Sequence, residues 1–243
     1  MRITRLHVAA PLEAGERGLD DDAAHYLLRV LRLRVGDALV LFDGAGTCAD
    51  SELIAASPRD CRVRVGTPRA DHSESPLEVH LGLALLRGER MDIALQKACE
   101  LGVARISLLD TERVELRLDA RRLGKRMAHW EGVLRHAAQQ SGRSRIPALD
   151  APQTLAHVAA RAALPAARLV LDPEGEPLAT TTRPAAGAVL ITGPEGGLAE
   201  TELTALEAAG FERVRLGPRI LRAETAPLAG LAVLQWCWGD LGA

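Results

Sequence analysis

Two segments near the C-terminus gather the groups of this chain that could do chemistry: Ile191-Thr192-Gly193-Pro194-Glu195-Gly196-Gly197 and Leu216-Gly217-Pro218-Arg219-Ile220-Leu221-Arg222-Ala223-Glu224-Thr225-Ala226. Each runs from a short apolar strand (Ala188 to Ile191, then Val214 to Leu216) through a glycine-proline turn into a helix-forming stretch. Glycine lets the backbone approach a ligand closely, and proline fixes φ while removing a donor. Two stiff loops therefore offer N–H and C=O groups at set positions, an arrangement suited to the edge of a heteroaromatic base and to ribose hydroxyls. The pattern predicts neighbouring parallel strands whose C-terminal loops lie side by side, the edge at which open α/β sheets bind ligands.

The elements that position these loops follow from periodicity. Leu77–Leu85 reads as a strand buried on both faces, Glu89–Leu101 as a helix with Gly102 as its stop, and Ala104–Leu109 as the next strand. Leu118–Gln140 is a long amphipathic helix with Leu123, Met127, Trp130 and Leu134 on one face. A strand at Arg168–Leu171, a helix at Glu200–Ala209, a strand at Arg213–Leu216 and a helix at Pro227–Trp238 complete an alternating α/β pattern with a mainly parallel sheet. The last helix is apolar on most sides, which fits burial in a core or against a partner chain. Residues 1–70 read differently. Ile3–Val8, Ala38–Phe42, Ser51–Ala55 and Cys61–Val65 are short β pieces of a small barrel, with one helical patch at Ala23–Leu31. The polar, proline-bounded stretch Pro68–Pro76 reads as a linker, set at 71–76 between a first domain at 1–70 and a second at 77–243.

Composition narrows the class. The apolar fraction is 47% and the charged fraction 26%, ordinary for a soluble globular chain, and no run approaches the ~18 apolar residues of a membrane span. Cys48, Cys61, Cys99 and Cys237 lie far apart without CxxC spacing or partner histidines, so a cytoplasmic protein with neither disulfide framework nor metal is expected. The net charge of −2 hides an uneven distribution. From Thr111 to Arg145 nine basic residues, Arg117 among them, face four acidic ones; from Leu171 to Glu212 eight acids face only Arg183. A basic middle suits phosphates, and an acidic C-terminal part accepts a cationic ligand.

The wording of the motifs resembles one family. GPEGG followed by LGPRILRAETA is similar to the cofactor half of the SPOUT class of RNA methyltransferases, most closely the bacterial enzymes that methylate N3 of a uridine in 16S ribosomal RNA. Leu86-Arg87-Gly88-Glu89-Arg90-Met91-Asp92, the stretch Gln96 to Val103, and Gln140-Ser141-Gly142-Arg143 with Ile146-Pro147 resemble further family segments in the family's order. The resemblance implies a PUA-like RNA-binding barrel followed by a SPOUT domain with a C-terminal trefoil knot. It also implies a homodimer, S-adenosylmethionine as cofactor, and 16S rRNA or the assembled small ribosomal subunit as partner.

Carried onto this sequence, the cofactor loops are Thr192, Gly193, Pro194, Glu195, Gly196 and Gly197, then Leu216, Gly217, Ile220 and Leu221, with Leu171 as a further wall. Arg222, Glu224, Thr225 and Ala226 follow the second loop and meet cofactor or uracil. The reaction needs an in-line approach of N3 to the methyl group and loss of the N3 proton. Glu195, Glu224 and His136 are the candidate bases, while Arg143 and Arg222 are the candidates to steady a uracil anion. Arg29, Arg32, Arg87, Arg143 and Arg145 are expected to hold RNA. Arg87 stands where lysine is common in the family, and His136 and Gln139 where glutamates are frequent, so a carboxylate role in that segment is not retained. Two competing readings are a SPOUT methyltransferase for another rRNA or tRNA position, and a non-catalytic RNA-binding ribosome assembly factor. An early GxGxxG, which a nucleotide-binding oxidoreductase would carry, is absent.

Overall fold

The computed structural model describes residues 3–9, 11–57, 59–116, 119–161, 164–165, 167–178 and 187–242. Arg117, Leu118 and Arg183 of the charge and helix readings lie outside the described residues. The chain divides into two compact units, Met1–Glu74 with Ala138–Ile146, and Ser75–Ala137 with Pro147–Ala243.

The first unit is a six-stranded sheet. β1 (Thr4–His7), β2 (Gly15–Gly18), β3 (Ala38–Phe42), β4 (Thr47–Ser57) and β5 (Asp60–Val65) follow the path β1-β3-β4-β5-β2, with β6 (Arg69–Ala70) on β4. Only β1–β3 is parallel. β5 shows the alternation of a half-buried strand, with Cys61, Val63 and Val65 inward against Leu6, Leu27, Leu39, Leu41 and Leu53. The helical patch is α1 (Asp21–His25), capped by Asp20, whose carboxylate accepts from Ala23 N at 2.8 Å. It widens into a π-helical turn at Tyr26–Val30, and the chain then passes Arg32 in the left-handed region, φ 57°.

Two features of this unit escape the periodicity. β6 falls inside the stretch read as a linker, and Asp71 and Glu74 of the same stretch are bound by arginines of the unit. Arg5 Nη2 lies 2.7 Å from Asp71 Oδ2, and Arg143 Nη2 lies 2.6 Å from Glu74 Oε2. The segment 138–146, which the sequence pattern assigns to the second domain, clusters with the first unit instead. Backbone pairing and polar contacts hold it there: Ser144 bonds with Asp71 and Arg5, Gly46 N donates to Ser144 O, and Ile146 N donates to Gly44 O.

The second unit is an α/β sheet in which every pairing is parallel. Its strands are β7 (Val79–Ala84), β8 (Arg105–Leu109), β9 (Ala148–Gln153), β10 (Ala167–Pro177), β11 (Ala188–Thr192) and β12 (Glu212–Arg215), in the order β12-β10-β11-β7-β8-β9. β7 and β11 are near-continuous apolar runs, as central parallel strands must be. The helices are α2 (Glu89–Glu100), α3 (Ala120–Ser141, whose last turn belongs to the first unit), α4 (Leu155–Ala159), α5 (Glu200–Ala208) and α6 (Thr225–Cys237). Leu109, Val170, Val189, Ile191, Leu206 and Phe211 form one core of this sheet. On α6, Leu231 and Leu234 are buried whereas Trp236 is 66% exposed.

One expectation about the sheet is corrected. β11 and β12, the strands that feed the two glycine loops, are not neighbours, because β10 lies between them and pairs with both. The backbone of β10 pairs along both of its edges, Ala167–Val170 with β11 and Leu169–Leu171 with β12. Its ladder with β12 breaks between Leu171 and Glu176 and resumes there, so Asp172-Pro173-Glu174-Gly175 bulges out of the pairing within β10 at the same edge.

Candidate active site

A cavity of about 760 Å³ lies within the second unit, among the bulge inside β10 and the loops that follow β11 and β12. Two strand ends and that bulge build it. Thr192 closes β11; its hydroxyl is buried and donates to Gly82 O of β7 at 3.4 Å. Past it, Pro194 O accepts from Gly197 N at 2.9 Å, and the turn needs Gly197 in the left-handed region, φ 69°. Gly193 packs closely: a Cβ there would sit 3.0 Å from Leu198 N and 3.1 Å from Gly197 C. The loop after β12 passes Gly217, φ 77°, and enters α6 at Glu224.

Arginines from neighbouring strand loops pin these walls. Arg90, at the start of α2, bonds Glu195 Oε1 at 3.0 Å and lies 3.9 Å from Glu224 Oε2. Arg113, past β8, donates to Gly196 O at 3.0 Å. Arg213 of β12 holds Glu200 at 2.6 Å, Glu207 at 2.9 Å and Asp172 at 3.5 Å. Its hydrogen bond keeps the Glu200 carboxyl below the ordinary glutamate range. Arg215 donates to Gly175 O at 2.7 Å, and Glu174 N donates to Asp172 Oδ1 at 3.1 Å, so the β10 bulge is held from both ends. Glu224 Oε2 is buried and has no hydrogen-bond partner among the described residues.

The expected residues divide as follows. Leu171, Thr192, Gly193, Pro194, Glu195 and Gly197 line the cavity, as do Leu216, Gly217, Ile220, Leu221, Arg222, Glu224 and Ala226. Gly196 and Thr225 are not among its lining residues; Gly196 turns its carbonyl to Arg113, and Thr225 is the exposed first residue of α6. Arg143 belongs to the first unit, 5% exposed, with Nε and Nη2 on Glu74. Gly142, at φ 89°, turns the chain ahead of it. Of the residues expected to hold RNA, Arg29 and Arg32 are exposed on the first unit, where Arg145 also lies and donates its backbone N–H to Glu74. Arg87 belongs to the second unit and pairs with Glu115 at 2.8 Å.

Sequence reasoning passed over Arg90, Arg113, Asp172, Glu174, Arg213 and Arg219. A usable signal existed, since ligands collect at the C-terminal ends of parallel strands and Arg90, Arg113 and Arg219 follow such an end. Among the described residues no group of three or more His, Cys, Asp or Glu could hold a metal, and no helix is long and apolar enough to cross a membrane.

A family model described as an RNA methyltransferase domain matches residues 73–235, and one described as an RNA methyltransferase PUA domain matches residues 19–66. The ribosomal RNA small subunit methyltransferase E of Mycobacterium bovis is 35% identical over 222 residues, covering 89% of this chain and 84% of that one. The chain belongs to this RNA methyltransferase family. As a family member it resembles two solved structures along its whole length. A methyltransferase of Legionella pneumophila, solved with the bound cofactor SAM, superposes with a TM-score of 0.93 at 34% identity, covering 99% of this chain and 100% of that one. The ribosomal RNA small subunit methyltransferase E of Neisseria gonorrhoeae, solved bound to S-adenosyl methionine, gives 0.91 at 32% identity, with coverage of 99% and 100%.

Proposed function

We propose that this methyltransferase uses S-adenosylmethionine to methylate N3 of a uridine in 16S rRNA, acting on the small ribosomal subunit. The observation that carries the reading is the cavity at the C-terminal edge of a parallel sheet, walled by both glycine-proline loops, in a chain whose relatives were solved with that cofactor. The residues present fit it. Leu198, Leu216, Ile220 and Leu221 supply apolar wall for an adenine, the turns at Gly193 and Gly217 supply backbone polar groups, and carboxylates supply acceptors for ribose and amine.

When bound, S-adenosylmethionine supplies a methyl carbon activated by its sulfonium. The protein's work is to orient uracil and remove one proton. Glu224 accepts the N3 proton, because its buried Oε2 is an acceptor that no described residue satisfies. N3 bonds to the methyl carbon as the carbon–sulfur bond breaks, and the electron pair stays on sulfur. Arg90 holds Glu195 and steadies Glu224. Arg219 and Arg222 are exposed at the cavity without an ion pair among the described residues, so they face the anionic uracil and the RNA phosphates.

The rest of the reading concerns the whole chain. Residues 1–70 form a PUA-like module that binds RNA through Arg29 and Arg32, with 71–76 leading into the catalytic domain. Residues 77–243, apart from the segment 138–146 that clusters with the first unit, carry the SPOUT domain with its trefoil knot. Two copies pair, and the protein works in the cytoplasm. The test is labelled methyl transfer to small subunits lacking the modification, with nucleosides identified by mass spectrometry. 3-Methyluridine is expected; label in another nucleoside, or none, would refute the assignment.

A further inference from the structure

Five carboxylates line the cavity, and five arginines line it too, so the walls carry no net charge from these groups. A cationic ligand is therefore not selected by the summed field; it needs a particular carboxylate whose charge is not already matched. Glu200 and Asp172 are held by Arg213 at 2.6 Å and 3.5 Å, Glu195 by Arg90 at 3.0 Å, and Glu224 lies 3.9 Å from the same Arg90. Glu174 alone of the five has no arginine within ion-pair distance among the described residues.

Its backbone is nevertheless fixed. Glu174 sits in the four-residue excursion of β10, whose flanks are tied by the Asp172 carboxylate on Glu174 N and by Arg215 on Gly175 O. A solvated carboxylate on a rigid loop at a cavity wall is placed to meet a positive charge without first breaking an ion pair.

We infer that Glu174 is the specificity residue that meets the sulfonium charge of the methyl donor. The inference rests on reading the cavity as an S-adenosylmethionine site. It has a consequence for turnover. Methyl transfer turns the sulfonium into a neutral thioether, so the attraction to Glu174 ends with the reaction, and S-adenosylhomocysteine is released from a site that no longer favours it.

The two compounds share adenine, ribose and the amino-acid group and differ at sulfur, so their affinity ratio isolates this contact. Calorimetric titration of the full chain with each is the test, on wild type, Glu174→Gln and Glu176→Gln. Glu176 removes the same charge two residues away from a position that does not line the cavity. Glu174→Gln should weaken S-adenosylmethionine about fivefold, the scale of a partly solvated ion pair, and leave S-adenosylhomocysteine unchanged. Glu176→Gln should keep the wild-type ratio. Equal weakening of both compounds by Glu174→Gln would place its contact on a shared group and overturn the inference, as would an unchanged ratio or an equal effect of Glu176→Gln. Wild-type protein that binds neither compound would instead overturn the reading of the cavity itself.

Discussion

The loop after β11 makes a graded prediction, because its three glycines differ in what an added methyl would meet. At Gly193 a Cβ would lie 3.0 Å from Leu198 N and 3.1 Å from Gly197 C, both main-chain atoms of the same loop. Ordinary contact begins near 3.4 Å, so the turn must open by about 0.4 Å, and no side chain can move to absorb it. Overpacking of this kind costs about 1–3 kcal/mol. The backbone groups displaced are those proposed to hold the cofactor, so Gly193→Ala should weaken S-adenosylmethionine binding roughly ten- to hundredfold. At Gly197 the nearest atom is 4.0 Å away, but φ is 69°, and the left-handed penalty of about 1–2 kcal/mol is shared between loop and ligand. Gly197→Ala should therefore be milder, roughly three- to tenfold. At Gly196 a Cβ meets only Arg113, its Cβ at 3.3 Å, its Cδ at 3.6 Å and its carbonyl O at 3.9 Å, all outside the loop, and Gly196→Ala should bind within about twofold of wild type. Calorimetry gives the affinities, and thermal unfolding of the ligand-free variants confirms intact folds. Gly196→Ala as damaging as Gly193→Ala, or Gly193→Ala binding like wild type, would refute the reasoning.

Three further outcomes are expected. Arg143→Ala leaves Glu74, 20% exposed, without its guanidinium partner, and should lower the stability of the first unit by about 3 kcal/mol in denaturant titration; an unchanged midpoint would contradict the buried pair. Asp71 is pushed up by burial, but the Ser144 hydrogen bond and Arg5 outweigh that and hold its carboxyl below the ordinary range. Its stabilising contribution is thus complete above the unfolded value of about 4 and is lost as pH falls toward the lower folded value. Asp71→Asn should reduce the acid-side slope of stability against pH, and an unaltered slope would exclude the pair as its source. Glu224→Gln keeps shape but removes the proton acceptor, so turnover should fall at least about a hundredfold while cofactor affinity stays within about threefold; undiminished turnover would move the base elsewhere.

Much of this protein is legible wherever apolar periodicity and glycine-proline turns coincide. β3 spans the very residues read as a short β piece, Ala38–Phe42, and α2, β8 and α6 differ from expectation by a residue or two at their ends. Local patterning also puts Gly193, Leu216 and Leu221 at one strand edge, because a turn that follows a buried parallel strand has nowhere else to go. What it cannot supply is spatial order. β11 is apolar throughout, β10 carries an apolar start and a charged end, and β12 is mostly charged, yet nothing in these local patterns says that β10 sits between the other two. β9, with sequence ALDAPQ, is a strand only because β8 offers it an edge, and β6 consists of two exposed residues paired to β4.

Charge is harder to read than periodicity. Arg143 and Arg222 look alike in the sequence, each following a glycine turn and each a candidate for an anion. Arg143 meets Glu74, sixty-nine residues away, and is buried; Arg222 is exposed at the cavity and unpaired among the described residues. Glu174 and Glu200 show the same division among the acids, one unmatched and the other neutralised by Arg213. The acidic balance from Leu171 to Glu212 is real, but arginines from outside that stretch, Arg90 and Arg213, cancel most of it inside the cavity. Selection of a cation there falls to the residue whose partner is missing, a property of the folded contacts that no count along the chain contains.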